Sequence, residues 1–275
     1  MTKVKICGLR RREDIEAVNR LKPEYIGFVF YEKSRRNVTE EEAMALRKAL
    51  DPDIISVGVF VDAEPELILR LVKKEIISVA QLHGHETEEY IEKLKKKIEK
   101  DRVESDDGSP DREAKISSMP EDDIKIRKAE PEHGRGLEHE KDFEYEKDFE
   151  HGRDFEHEKD FKHEGGFKSG REFKVMKAFL IRSEKDLQAA RETKADYILF
   201  DNGLGSGETF NWEILKDFRK PYFLAGGLTD ANVTGAIQRL SPYAVDISSG
   251  VETDGYKDPD KIKSFIDAVR RKNYV

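Results

Sequence analysis

Eight times along this chain a short apolar run is followed by an amphipathic, charge-rich segment. The runs, rich in β-branched and aromatic residues, cover 4–7, 25–30, 54–60, 79–82, 175–178, 197–200, 222–224 and 244–247. Segments with helical spacing lie at 12–21, 40–50, 65–73, 87–98, 184–192, 212–218, 232–240 and 259–271. Strict strand–helix alternation predicts a parallel sheet with helices covering it. The runs are apolar at successive positions, so both strand faces are expected to be buried, which suits a sheet closed on itself. The fold expected is α/β, a (β/α)8 TIM barrel; an open doubly wound sheet is the rival. In a barrel of this kind the chemistry sits where strands hand over to the following loops.

One stretch breaks the pattern. From Glu132 to Phe173 the chain repeats every six residues, as in EHEKDF, EYEKDF and EHGRDF, for seven units in 42 residues. It holds 14 acidic and 8 basic residues. A period of six suits no packed helix, since six residues turn it by about 600° and scatter the Phe positions over three faces. Its apolar content is too low to offset the entropy of ordering. The reading is a low-complexity, disordered insertion over 99–173, between a first barrel part at 1–98 and a second at 174–275. His133, His139, His151, His157 and His163 leave a metal-binding tract or a protein-interaction segment as alternatives. Their spacing fits no zinc template. Without the insertion about 200 residues remain, the lower size for this barrel, roughly 200. The insertion falls between the fourth helix and the fifth strand, on the side away from the expected site, where a long loop closes at small entropic cost.

Composition narrows the function. A formal net charge of −8 speaks against a nucleic-acid partner. No stretch has the ~18 apolar residues of a membrane span, and the first residues lack a signal-peptide core. A lone cysteine fits a reducing, cytoplasmic compartment. HExxH, CxxC and GxSxG are absent, so zinc hydrolase, thiol redox and serine hydrolase chemistry have no support.

Candidate residues lie at the expected strand ends. Cys7-Gly8 closes the first run; Cys7 reads either as a small buried apolar residue or as a base needing a nearby cation. Ser34-Arg35-Arg36 follows the second, and Arg36 could grip a carboxylate or phosphate unless both arginines are simply solvated. His83 ends the fourth run, as ligand contact or structural histidine; the adjacent His85 reads as solvated. Asp201 ends the sixth and opens the glycine-rich 203–207, a loop able to close over a ligand. Asp201 could equally be a helix cap. Gly226-Gly227 follows the seventh run and Ser248-Ser249-Gly250 the eighth. Loops at those two places commonly bind phosphate in such barrels, through backbone N–H groups.

Taken in order and spacing, KICGLRRREDI, YIGFVFYEKSRRNV, VGVFVD, AQLHG, YILFD, FLAGGL and AVDISSGVE resemble the phosphoribosylanthranilate isomerase family. The similarity covers essentially all of 3–98 and 174–272; the insertion resembles nothing in the family. The resemblance implies an Amadori rearrangement of N-(5-phosphoribosyl)anthranilate to 1-(2-carboxyphenylamino)-1-deoxyribulose 5-phosphate, in tryptophan biosynthesis. It places the catalytic base on Cys7 and the catalytic acid on Asp201. The anthranilate end falls on Arg36, and the phosphate on Gly226, Gly227, Ser248, Ser249 and Gly250. It implies no metal or organic cofactor and a small phosphorylated substrate; no nucleic-acid or membrane partner is expected, and the sequence leaves monomer and homodimer open. Asp201 would have to hold a proton near neutral pH, which desolvation under a closed loop favours. Two departures stand out: Ser206 where the family has Thr, and Asn211 where it has Asp. A competing reading is a non-catalytic barrel that carries the His- and acid-rich repeat as a platform for metal or a protein partner.

Overall fold

The structure is a computed structural model, and it describes residues 1–105, 172–181, 183–201 and 212–271. Eight parallel strands close into a barrel in chain order, with β1 pairing both β2 and β8. They are β1 (Lys3–Cys7), β2 (Tyr25–Phe30), β3 (Ile55–Phe60), β4 (Val79–Leu82), β5 (Lys174–Leu180), β6 (Tyr197–Asp201), β7 (Tyr222–Leu224) and β8 (Ala244–Ile247). The helices are α1 (Arg12–Leu21), α2 (Glu40–Ala49), α3 (Pro65–Lys73), α4 (Glu88–Ser105), α5 (Glu184–Glu192), α6 (Val233–Leu240) and α7 (Pro259–Arg270). The rival open sheet is excluded by the β1–β8 ladder, which pairs Lys3 with Ala244 and Ile6 with Ile247.

Helix starts follow local chemistry. Thr39 caps α2 by accepting from the Glu42 N–H at 3.2 Å, while Glu42 accepts from the Thr39 N–H at 2.8 Å. Asp258 caps α7 just ahead of Pro259, whose missing N–H is no loss at that position. Among the described residues between β6 and β7, Trp212–Leu215 forms a 3-10 turn, where the sequence suggested a helix over 212–218. Phe218 packs edge-on against Phe200 at 4.9 Å and against Tyr222 at 5.7 Å. That contact draws the chain back to the sheet, and Pro221 disfavours helix in the residue before it. In the other direction, α4 runs to Ser105, beyond the expected 98.

Strand alternation sorts the core into two layers. Outward residues such as Ile6, Phe28, Phe60, Leu82, Phe200 and Val245 pack under the helices. Inward residues fill the barrel. Tyr25, Val57, Val79, Met176, Leu199, Phe223 and Ala244 form an apolar plug. Below it Lys3 Nζ sits 4.6 Å over the Tyr243 ring, a cation–π contact at the strand N-termini. Above it the filling turns polar. The repeat at 132–173 and the loop at 203–207 lie outside the described residues, apart from Glu172 and Phe173.

Candidate active site

Inward positions alternate, so β1 directs Lys3, Lys5 and Cys7 to the interior in ascending order. Cys7 ends the strand and is 8% exposed, packed with Val29 and Val59 at the mouth. Gly27 on β2 makes room for it: a Cβ there would lie 2.8 Å from Cys7 Sγ. One step deeper, Lys5 is fully buried and its Nζ donates to Asp246 Oδ2 of β8 at 2.9 Å. Burial pushes the Cys7 thiol up from its usual range, opposed by the positive charges of Lys5 and Lys257. Burial works against the Lys5 charge too, but Asp246 and Cys7 outweigh it and hold its pKa above the ordinary lysine value. Lys5 is thus a cation beneath the thiol, the feature a thiolate base needs.

Asp201 ends β6, and His83 follows β4 directly. His83 Nε2 lies 3.5 Å from Asp201 Oδ2. Gln81 Nε2 lies 3.2 Å from His83 Nδ1 and donates to it, which leaves the ring proton on Nε2, facing the carboxylate. Desolvation by burial lowers the His83 pKa, against the attraction of Asp201 and Asp246, so the imidazole is neutral. Beside these groups are two buried acceptors with no hydrogen-bond partner among the described residues, Gln81 Oε1 and Asp246 Oδ1. Unmatched acceptors at a barrel mouth suit a ligand bearing hydroxyl groups.

Arg36 crosses the first loop. A side chain at Gly8 would run into Arg36 Cδ, and Gly8 adopts φ +84°. The guanidinium is held by Glu252, Nε to Oε1 at 2.6 Å and Nη2 to Oε2 at 2.8 Å. Arg35 and Lys257 reach the same carboxylate at 2.8 and 2.6 Å. Although burial raises it, Arg36 and Lys257 pull the Glu252 pKa down to about 2. Lys257 also donates to Ser248 O at 2.9 Å, and Ser248 Oγ donates to Cys7 O at 3.0 Å.

The two glycine loops meet. Gly226 and Gly227 take φ +85° and +65°, a left-handed turn closed by Asn232, whose Nδ2 donates to Gly227 O at 2.8 Å. A Cβ on Gly250 would lie 2.5 Å from Leu228 O, so the backbones after β7 and β8 abut. Ser249–Val251 forms a short 3-10 turn there. The sequence-predicted residues Cys7, Arg36, His83, Asp201, Gly226, Gly227, Ser248, Ser249 and Gly250 therefore all follow or end strands at one edge of the barrel. His85 is exposed, and its Nδ1 pairs with Asp62 at 3.0 Å. Sequence reasoning missed Lys5, Asp246, Glu252 and Lys257. The signal for the first two was present: a charged residue at an inward strand position.

The sequence profile described as N-(5'phosphoribosyl)anthranilate (PRA) isomerase matches residues 4–123 and 140–268. Among curated proteins, the N-(5'-phosphoribosyl)anthranilate isomerase of a Thermoanaerobacter strain is 36% identical over 277 aligned residues, covering 98% of each chain. That of Caldanaerobacter subterraneus is also 36% identical with the same coverage. Among solved structures, dimeric phosphoribosylanthranilate isomerase from Thermotoga maritima, crystallised as generated monomers, aligns with TM-score 0.63 and 28% identity over 98% of each chain. A phosphoribosyl anthranilate isomerase in complex with reduced 1-(o-carboxyphenylamino)-1-deoxyribulose 5-phosphate aligns with TM-score 0.61 and 29% identity, again over 98% of each.

Proposed function

This chain belongs to the N-(5'-phosphoribosyl)anthranilate isomerase family and is an isomerase of tryptophan biosynthesis, and we propose that Cys7 and Asp201 are its acid–base pair. Asp201 donates a proton to the furanose ring oxygen as the C1–O bond breaks, with the anthranilate nitrogen supplying the electron pair that forms the Schiff base. Cys7, as thiolate, removes the proton from C2. The electrons of that C–H bond form the C1–C2 double bond of an enolamine, and the π pair of the C=N bond returns to nitrogen. The C2 hydroxyl then loses its proton while C1 gains one, which gives the ketone. Each step keeps its electrons within the substrate, so the scheme uses no metal or organic cofactor.

The observation that carries the reading is the stacking on β1: a thiol at the mouth with a buried, charged Lys5 directly below it. His83, neutral and with Nε2–H toward Asp201, orients the acid. Arg36 takes the anthranilate carboxylate. The abutting backbones at Gly226-Gly227 and Ser248-Ser249-Gly250 take the phosphate. The protein acts in the cytoplasm as a monomer or homodimer; among the described residues no helix is long and apolar enough to cross a membrane.

Turnover of N-(5'-phosphoribosyl)anthranilate in the presence of a chelator tests this. Cys7→Ala and Asp201→Asn are each expected to lower kcat by roughly 10²–10⁴, the usual worth of a positioned acid or base. A folded variant that keeps more than a tenth of wild-type kcat would remove that residue from the pair.

A further inference from the structure

The Arg36–Glu252 arrangement carries an inference that rests on reading Arg36 as the carboxylate site. A guanidinium offers five N–H donors along a planar fork. Glu252 accepts from Nε at 2.6 Å and from Nη2 at 2.8 Å, occupying one edge of that fork side-on. Its side chain is 4% exposed, so the carboxylate is part of the wall and not a surface counterion. Three cations converge on it, Arg35, Arg36 and Lys257, leaving an excess of positive charge around a single carboxylate. The Arg36 stem is held too, since it runs so close to Gly8 that no side chain fits there. Both ends of Arg36 are thereby fixed, next to the residue that follows Cys7.

We propose that Glu252 is the positioning residue for recognition of the substrate carboxylate. By holding the Nε–Nη2 edge it sets the plane of the guanidinium and leaves the Nη1 end to a carboxylate of the aromatic ring. The surplus charge of Arg35 and Lys257 makes that second carboxylate welcome where a lone Arg–Glu pair would be neutral.

Steady-state kinetics of the full chain with N-(5'-phosphoribosyl)anthranilate test the proposal, using Glu252→Gln, Glu252→Asp, Arg36→Met and the double variant Glu252→Gln/Arg36→Met. Glu252→Gln and Glu252→Asp are each expected to raise KM about tenfold, the scale of one charge-assisted hydrogen bond, with kcat changed less than about threefold. Aspartate keeps the charge but is one methylene short, so a rise in this variant separates positioning from simple neutralisation. In the double variant KM should rise no further than in Arg36→Met alone. Competitive inhibition by inorganic phosphate should stay within about twofold of wild type, since a general loosening of these loops would weaken it as well. A normal KM in Glu252→Asp, a lowered KM in Glu252→Gln, additive effects or a parallel loss of phosphate affinity would each overturn the proposal. If Arg36→Met leaves KM unchanged, the reading of Arg36 fails first and takes the inference with it. A raised KM in Arg36→Met beside normal Glu252 variants isolates the failure to Glu252. Should Glu252→Gln not fold, Glu252→Asp carries the test.

Discussion

Lys5 and Asp246 place opposite charges in the barrel interior at a spacing of 2.9 Å, with Lys5 fully enclosed. Removing one member of such a pair leaves the other charge uncompensated, at a cost of about 3–5 kcal/mol. Lys5→Met is therefore expected to lower stability by that amount in urea unfolding, and Asp246→Leu in the same chain to recover most of it. No recovery would mean that Asp246 has another partner. The same lysine bears on the thiol. Cys7 has a raised pKa, so its thiolate fraction, and with it the rate of alkylation by iodoacetamide, should climb with pH and level off only above the ordinary thiol range. Lys5→Met takes away a charge that favours the thiolate, so the alkylation profile should move further to high pH. A profile that moves down, or not at all, would separate Lys5 from the chemistry.

The loops following β1, β2 and β8 act as one unit, because Glu252 ties Arg35 and Arg36 to Lys257, and Lys257 ties back to Ser248. Glu252 has its pKa depressed to about 2 from an ordinary 4.5. A depressed carboxylate contributes stability that is complete above its unfolded pKa and lost as pH falls through the folded one. The stability gap between wild type and Glu252→Gln should thus be constant above pH ~4.5 and shrink as the pH drops toward ~2. Urea midpoints measured across that window check it, and a gap that widens on acidification would contradict the charge assignment. Gly8 is where the Arg36 stem meets the first loop of the same unit. At φ +84°, with Arg36 Cδ where a Cβ would go, it admits no other residue without strain. Gly8→Ala is expected to cost at least ~1 kcal/mol and to raise KM together, because the side chain would push Arg36 off the first loop. Loss of stability with an unchanged KM would mean that Arg36 adapts.

At the scale of the molecule, the barrel ladder runs unbroken past residues 106–171. β4 and β5 flank that segment in the chain, yet they pair directly, Val79 with Lys174 through Leu82 with Lys177. α4 buries Ile91, Leu94 and Ile98 in the barrel's outer core. Replacing 106–171 by a short Gly-Ser linker is expected to preserve cooperative unfolding and to leave kcat and KM within about twofold, since loop length enters closure only logarithmically. Collapse of turnover in a folded deletion variant would assign the repeat a part in the activity.

The alternation of eight apolar runs was enough to state a parallel sheet and to favour the barrel over an open sheet, because burial of both strand faces leaves a mark at every strand position. The motifs at the strand ends were enough to state the edge where Cys7, Arg36, His83 and Asp201 gather, since each run ends where its loop begins. The helix expected over 212–218 was lost to a contact the sequence does not display, Phe218 folding back onto Phe200 and Tyr222. Partners were likewise invisible. Lys5 and Asp246 are 241 positions apart, and Arg36 and Glu252 are 216 apart. Local periodicity determines which face a side chain takes. Which charge it meets across the barrel depends on closure between β1 and β8, and only the tertiary structure decides that.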